Sequence, residues 1–198
     1  MKTGAVITAA GLSSRMGAFK PMLDLGGISV VQTIIETFRR VHADPIVLVT
    51  GHRAGELESH VAAAGVICVR NENYRTTDMF ASAAIGMRRI QRECGRFFFT
   101  PVDVPLFTDA TLRALLESGA PLCKPVCGGK DGHPILIRCD LVDAILRSSG
   151  GQGLKGALAQ CGTAVTAVGV GDAGILYDAD TPEEYDFLLR CRRDRRGP

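Results

Sequence analysis

Short apolar, β-branched runs alternate along the chain with stretches whose apolar residues recur three and four apart, the pattern of a mostly parallel sheet with helices on both faces. It predicts strands over residues 4–9, 45–50, 66–70 and 96–100, the last apolar at Phe97, Phe98 and Phe99 alike and so suited to the middle of a sheet. Val30, Val31, Ile34, Ile35, Phe38 and Val41 give the buried face of a helix beginning near Ser29. A second helix is expected over 53–64, and a third over 77–91 with Met79, Phe80, Ala83, Ala84, Met87 and Ile90 inward. Further on, the pattern gives a helix over 108–118, two strands within 121–137 around a loop at 127–132, and short helices at 140–147 and 154–160 split by a flexible 148–153. Strands are expected at 163–168 and 174–177. Thr181-Pro182-Glu183-Glu184 then reads as a helix start, with a Thr cap, Pro in the first helical position and Glu three residues after the cap. The expected class is α/β, three-layer α/β/α on a mixed, mostly parallel sheet.

A length of 198 residues suits one domain spanning 1–198, with a basic tail from about residue 190. Arg190, Arg192, Arg193, Arg195 and Arg196 in that tail suit the last turn of a helix and a solvated end better than a nucleic-acid or membrane contact. The apolar runs at 45–49 and 97–99 are far too short to span a bilayer, so no membrane partner is expected. A net charge of +2 is too mild for nucleic-acid binding. The chain enters its first strand without the regions of a secretory signal, and its seven cysteines are scattered and odd in number, which together lead us to expect a cytoplasmic protein without a disulfide framework. Cys123 and Cys127 lack the second pair that zinc would need, and the cysteines read as small buried hydrophobes.

The most informative stretch follows the first strand: Ala9-Ala10-Gly11-Leu12-Ser13-Ser14-Arg15-Met16-Gly17-Ala18-Phe19-Lys20-Pro21. Gly11 and Gly17 let backbone N–H groups approach phosphate oxygens, Ser13 and Ser14 add hydroxyl donors, and Arg15 and Lys20 supply charge, which is what a triphosphate needs. The spacing is neither that of a Walker loop nor that of the dinucleotide-binding G-x-G-x-x-G, which disfavours an NAD(P)-dependent oxidoreductase. A strand-to-helix turn with surface Arg and Lys is the bland alternative.

This loop resembles the signature loop of nucleotidyltransferases with the Rossmann-like GT-A fold, and most closely that of the molybdenum cofactor cytidylyltransferases and related MobA-like transferases. The resemblance implies that the loop wraps a nucleoside triphosphate, that Arg15 and Lys20 neutralise it, and that Ala9 and Ala10 lie against the base. The cytidylyltransferase branch has A-A-G where the guanylyl branch has A-G-G, so Ala10 favours CTP.

Asp103 ends the strand at 96–100 through Thr100-Pro101-Val102 and stands at the carboxyl edge of the sheet, where it should face a cation or solvent or brace the turn before Pro105. The resemblance favours the cation: D-x-P after an apolar strand is similar to the family's metal-binding motif. Tyr177-Asp178-Ala179-Asp180-Thr181-Pro182-Glu183-Glu184 is similar to the family's D-x-D-T-P-E segment, leaving Asp178 and Asp180 as equal candidates for a second Mg²⁺ ligand beside Asp103. Asn71 and Ser82 fall in segments similar to those that hold base, ribose or phosphate, with Asp78 and Phe80 departing from the commoner Gly and Ser. Gly132-His133-Pro134 resembles the opening of the strand beneath the acceptor pocket, where His133 is either an acceptor contact or a structural residue.

The expected activity is Mg²⁺-dependent transfer of a nucleoside monophosphate, CMP from CTP, onto a small phosphorylated acceptor of the molybdopterin type, with Arg15, Lys20 and Asp103 catalytic. A sugar-phosphate transferase and a non-catalytic nucleotide-binding module that delivers cofactor to a molybdenum hydroxylase are the alternatives.

Overall fold

The protein is described by a computed structural model over residues 1–12, 16–147 and 153–196. Its opening strand, β1 (Thr3–Ala9), is buried at every position. Alternation along the strand sends Ala5, Ile7 and Ala9 into one apolar cluster and Val6 into another on the opposite face.

The chain then runs through α1 (Val30–Arg40), β2 (Ile46–Thr50), α2 (Ala54–His60), β3 (Ile67–Arg70), α3 (Met79–Ile90) and β4 (Arg96–Pro101). Phe98 in β4 joins Ala5 and Ile7, while Phe97 and Phe99 join Val6, so a continuous apolar run is what a strand covered on both faces requires. The later elements are α4 (Asp109–Glu117), β5 (Leu122–Cys127), β6 (Lys130–Asp131), β7 (Ile135–Arg138), α5 (Val142–Arg147), α6 (Gly153–Gln160), β8 (Thr166–Gly169) and α7 (Pro182–Arg196). Among the described residues the sheet order is β3-β2-β1-β4-β7-β5-β6, with β8 beside β5. The first four strands are parallel and β7 enters antiparallel to β4, which confirms a mixed α/β/α architecture. Residues of α1, α2, α4 and α7 cover one face, and those of α3, α5 and α6 the other.

Local chemistry sets the boundaries. Ser29 caps α1 in a reciprocal box with Gln32, Asp78 caps α3 by accepting from the Ala81 N–H at 2.9 Å, and Thr108 caps α4. Thr181 accepts from the Glu184 N–H at 3.2 Å while Glu184 Oε2 accepts from the Thr181 N–H at 2.8 Å, the helix start expected there. That helix continues to Arg196, so the basic run expected as a tail is its closing turns.

Two expectations are corrected. Residues 127–132 form a tight hairpin in which Cys127 pairs with Lys130 across Gly128 and Gly129, both at positive φ, so the predicted loop contains a third strand. Residues 174–177 do not form a strand. Ala173–Leu176 is a 3₁₀ turn begun by Asp172, whose carboxylate accepts from the Gly174 N–H at 3.0 Å and from Thr108 and Thr111. Ile175 is buried by this turn, and a short apolar run records burial without saying which backbone achieves it. The flexible stretch expected at 148–153 lies, up to residue 152, outside the described residues.

Gly86 brings α3 close to the sheet: a Cβ there would stand 2.9 Å from Val49 Cγ2 and closer still to Val6 Cγ1. Gly86→Ala is therefore expected to destabilise the protein by about 1–3 kcal/mol in denaturant unfolding, although alanine is the better helix former. An unchanged or raised midpoint would contradict this packing.

Candidate active site

In an open α/β sheet, ligands bind outside the carboxyl ends of strands where the connections diverge to opposite sides. β1 is that strand here, with β2 on one side and β4 on the other. The ends of β1 and β4 open into a pocket of about 290 Å³. One wall is Thr8, Ala9, Ala10, Gly11 and Leu12, a second is Pro101, Val102 and Asp103, and a third comes from the segment entering α3, with Tyr74, Thr77, Asp78, Met79 and Ser82. Lys20 and Asp180 close the charged end.

Lys20 is aimed by its neighbours. Phe19 is buried in the core, packs edge-on against the His52 ring and lies under the Arg53 guanidinium. Pro21 fixes the short 3₁₀ turn Lys20–Met22. The Lys20 side chain is itself buried, and Nζ donates to Asp180 Oδ1 at 2.7 Å. Asp180 is presented from the cap of α7, its N–H donating to Glu184 Oε2 at 2.9 Å. The same segment is tied to β4, because the Ala179 N–H donates to the Asp103 carbonyl at 3.1 Å. A cation near the start of the chain, a carboxylate from its middle and another near its end thus share one pocket.

The Asp103 carboxyl is held above the usual carboxylate range. Burial is the main cause, the Lys20 charge opposes it, and Asp180 and Asp178 add to it. Its Oδ1 is sealed from solvent without a hydrogen-bond partner, as is the Oγ1 of Thr8 on the neighbouring strand. Native proteins rarely leave such groups unmet, so two of them at one pocket mark a place where a ligand supplies the partners. Thr8 was not anticipated; a hydroxyl near the carboxyl end of a mostly apolar strand was its signal.

Asp178 and Asp180, equivalent in sequence, differ in space. Asp180 lines the pocket, whereas Asp178 is exposed and does not line it. Although Asp178 is exposed by surface area, partial desolvation by its surroundings, then the Glu184 and Asp180 charges, raise its pKa. Among the described residues no three His, Cys, Asp or Glu side chains gather into a protein-only metal cage.

The remaining expected residues divide between lining and support. Ala9, Ala10, Gly11 and Ser82 line the pocket. Asn71 is buried behind it, its Nδ2 donating to Thr77 Oγ1 at 3.0 Å and to Ser82 Oγ at 2.9 Å while Oδ1 accepts from the Asn73 N–H. It shapes the wall rather than forming it. Asp78 caps α3, which accounts for a carboxylate where the resembling sequences have glycine. Gly17 has left-handed φ, 63°, in the loop leading to Lys20 and does not line the pocket. Ser13, Ser14 and Arg15 lie outside the described residues. His133 does not line the pocket; its Nδ1 is sealed, burial lowers its pKa, and its ring stands edge-on to Phe99. A neutral imidazole packed against Phe99 of β4 offers no charge to a phosphate.

Comparison with known proteins agrees with this geometry. The family model of the MobA-like NTP transferase domain matches residues 5–165. The molybdenum cofactor cytidylyltransferase of Escherichia coli is 30% identical over 184 residues, covering 91% of this chain and 92% of that protein. Among solved structures, a nucleotidyl transferase from Methanothermobacter thermautotroptrophicus superposes with a TM-score of 0.81 at 25% identity, covering 96% of this chain and 99% of that one. Rv0371c from Mycobacterium tuberculosis shares the fold, with a TM-score of 0.83 at 23% identity over 96% of this chain and 98% of its own. The pocket at the diverging strands thus belongs to a nucleotidyltransferase, and the chain is a member of the MobA-like NTP transferase family.

Proposed function

We propose that the protein transfers CMP from CTP to the phosphate of a molybdopterin-type acceptor, releasing pyrophosphate. The observation that carries this reading is the meeting of Lys20, Asp180 and the Asp103 carboxylate, whose Oδ1 has no hydrogen-bond partner, at one end of a pocket whose other wall is the Ala9-Ala10-Gly11 turn. The likeness to a molybdenum cofactor cytidylyltransferase over nearly the whole length of both chains, and Ala10 in the A-A-G turn, favour CTP and that acceptor.

In this reading an acceptor phosphate oxygen attacks the α-phosphorus in line, a new O–P bond forms, and the bond to the bridging oxygen of pyrophosphate breaks. The attacking group is already an anion, so the protein needs no strong base; it needs charge neutralisation and alignment. Lys20, held by Asp180, meets the charge on the phosphates, and Arg15 of the same loop is assigned a second share of it. Thr8 and Ser82 offer hydroxyl donors along the pocket wall.

Magnesium fits the donor set. A sealed carboxylate oxygen without a donor, Asp103 Oδ1, next to a second carboxylate lining the same end, suits a hard cation that takes one or two carboxylates and completes its shell with phosphate oxygens and water. Asp103 and Asp180 would hold it, and when bound it neutralises phosphate charge and orients the reacting group.

Pyrophosphate release measured with CTP, GTP and UTP against phosphorylated acceptors, molybdopterin included, is expected to require a divalent ion and to favour CTP at least about tenfold in kcat/KM; a preference for GTP or UTP overturns the nucleotide assignment. Lys20→Ala is expected to lose about 10²-fold or more in turnover while remaining folded. Asp180→Asn should lose a comparable factor and Asp178→Asn only a few-fold; the reverse order would move the metal to Asp178. Asp103→Asn separates activity from stability. Because burial holds the native carboxyl's pKa above its unfolded value, the folded state binds its proton more tightly, so wild-type stability falls as pH rises through that window. With metal chelated, the inactive variant should therefore gain Tm over the wild type at about pH 7.5 and lose that advantage near about pH 3.5, below the unfolded carboxylate range.

A further inference from the structure

At the end of the sheet remote from the pocket, two thiols face one another. Cys94 lies in the turn between α3 and β4, and Cys139 directly follows β7. Their sulfurs are 3.7 Å apart although 45 residues separate them in the chain. Arg96 and Arg138 are directly paired across the β4–β7 ladder, and the Cys139 N–H donates to the Gly95 carbonyl at 3.0 Å, so backbone bonds fix both segments beside each other. Both residues are partly exposed, which leaves the pair open to a small oxidant.

The two sulfurs are not equivalent. The Cys139 thiol, backbone groups of Gly4 and Arg96, and the Lys2 charge all favour a thiolate at Cys94 against the effect of burial, and the Cys94 thiol's pKa is lowered. The Cys139 thiol is pushed up by its bond to Cys94 and by burial. The thiolate is the reactive form of cysteine, so one member is set up to attack and the other to resolve.

We propose that Cys94 and Cys139 form an oxidisable pair that reacts with hydrogen peroxide and closes to an intramolecular disulfide. The Cys94 thiolate attacks a peroxide oxygen; an S–O bond forms, the O–O bond breaks, and hydroxide leaves to become water. Cys139 then attacks the sulfenic sulfur of Cys94, the S–S bond forms, the S–O bond breaks, and the second oxygen leaves as water with the Cys139 proton. Each sulfur is oxidised by one electron and the peroxide is reduced by two. The link joins the α3–β4 turn to the exit of β7, far from Lys20 and Asp103, so it alters stability without touching the reacting groups.

The test is stoichiometric hydrogen peroxide added to the reduced, folded full-length chain, followed by alkylation in denaturant, thiol counting and peptide mass analysis. The expected result is loss of two of the seven thiols, a single cross-linked peptide pair containing Cys94 and Cys139, and a Tm higher by on the order of 5–10 °C. Cys139→Ser should stop at a sulfenic acid on Cys94, trapped by dimedone. Retention of all seven thiols, a cross-link between other cysteines, or a wild-type protein that stops at the sulfenic acid overturns the proposal.

Discussion

A carboxylate with one oxygen sealed from water governs the architecture of the pocket. Asp103 stands just beyond the end of β4, one oxygen without a donor, and the Lys20 charge opposes the effect of its burial while Asp180 and Asp178 add to it. Buried charge is tolerated only when compensated, and the surroundings of Asp103 are arranged to that end. Phe19 and Pro21 fix the turn that carries Lys20. Thr181 and Glu184 form the cap that holds Asp180. The Ala179 N–H on the Asp103 carbonyl sets the distance between the two carboxylate-bearing segments.

The same economy of polar groups shapes the neutral wall. Asn71 commits its amide to Thr77, Ser82 and Asn73, which leaves the entrance to α3 with one arrangement. Away from the pocket, Asp172 joins Thr108, the cap of α4, and Thr111 to the turn at Gly174. Each is a single polar side chain that joins separate segments of the chain through several hydrogen bonds.

How much of this could be read from the sequence follows from the range of each interaction. Features decided within one turn were legible: the Ser29 and Thr181 caps, the apolar stripe of α1, the three phenylalanines of β4 and the glycine-bounded loop leading to Lys20. The family resemblance and the carboxylate at the sheet edge were legible for the same reason. What depends on a distant partner was not. Nothing local distinguishes Asp178 from Asp180; the difference arises because Asp180 meets a lysine 160 positions earlier. The run at 174–177 has the composition of a strand, and its 3₁₀ turn is imposed by Asp172 acting with α4. His133 offered a chargeable group to the acceptor in sequence, whereas in the fold its ring lies buried beside Phe99 and does not line the pocket.

The pairing of an early lysine with a late aspartate also bears on how the protein matures. Translation delivers Lys20 first, Asp103 midway and Asp180 only when nearly all of these residues have been made. Until that last segment leaves the ribosome, a nascent chain already able to assemble most of its sheet lacks the counter-charge that clamps Lys20 in place. A chain interrupted shortly before α7 would therefore hold most of the sheet without the Asp180 carboxylate that accepts from Lys20 at its mouth.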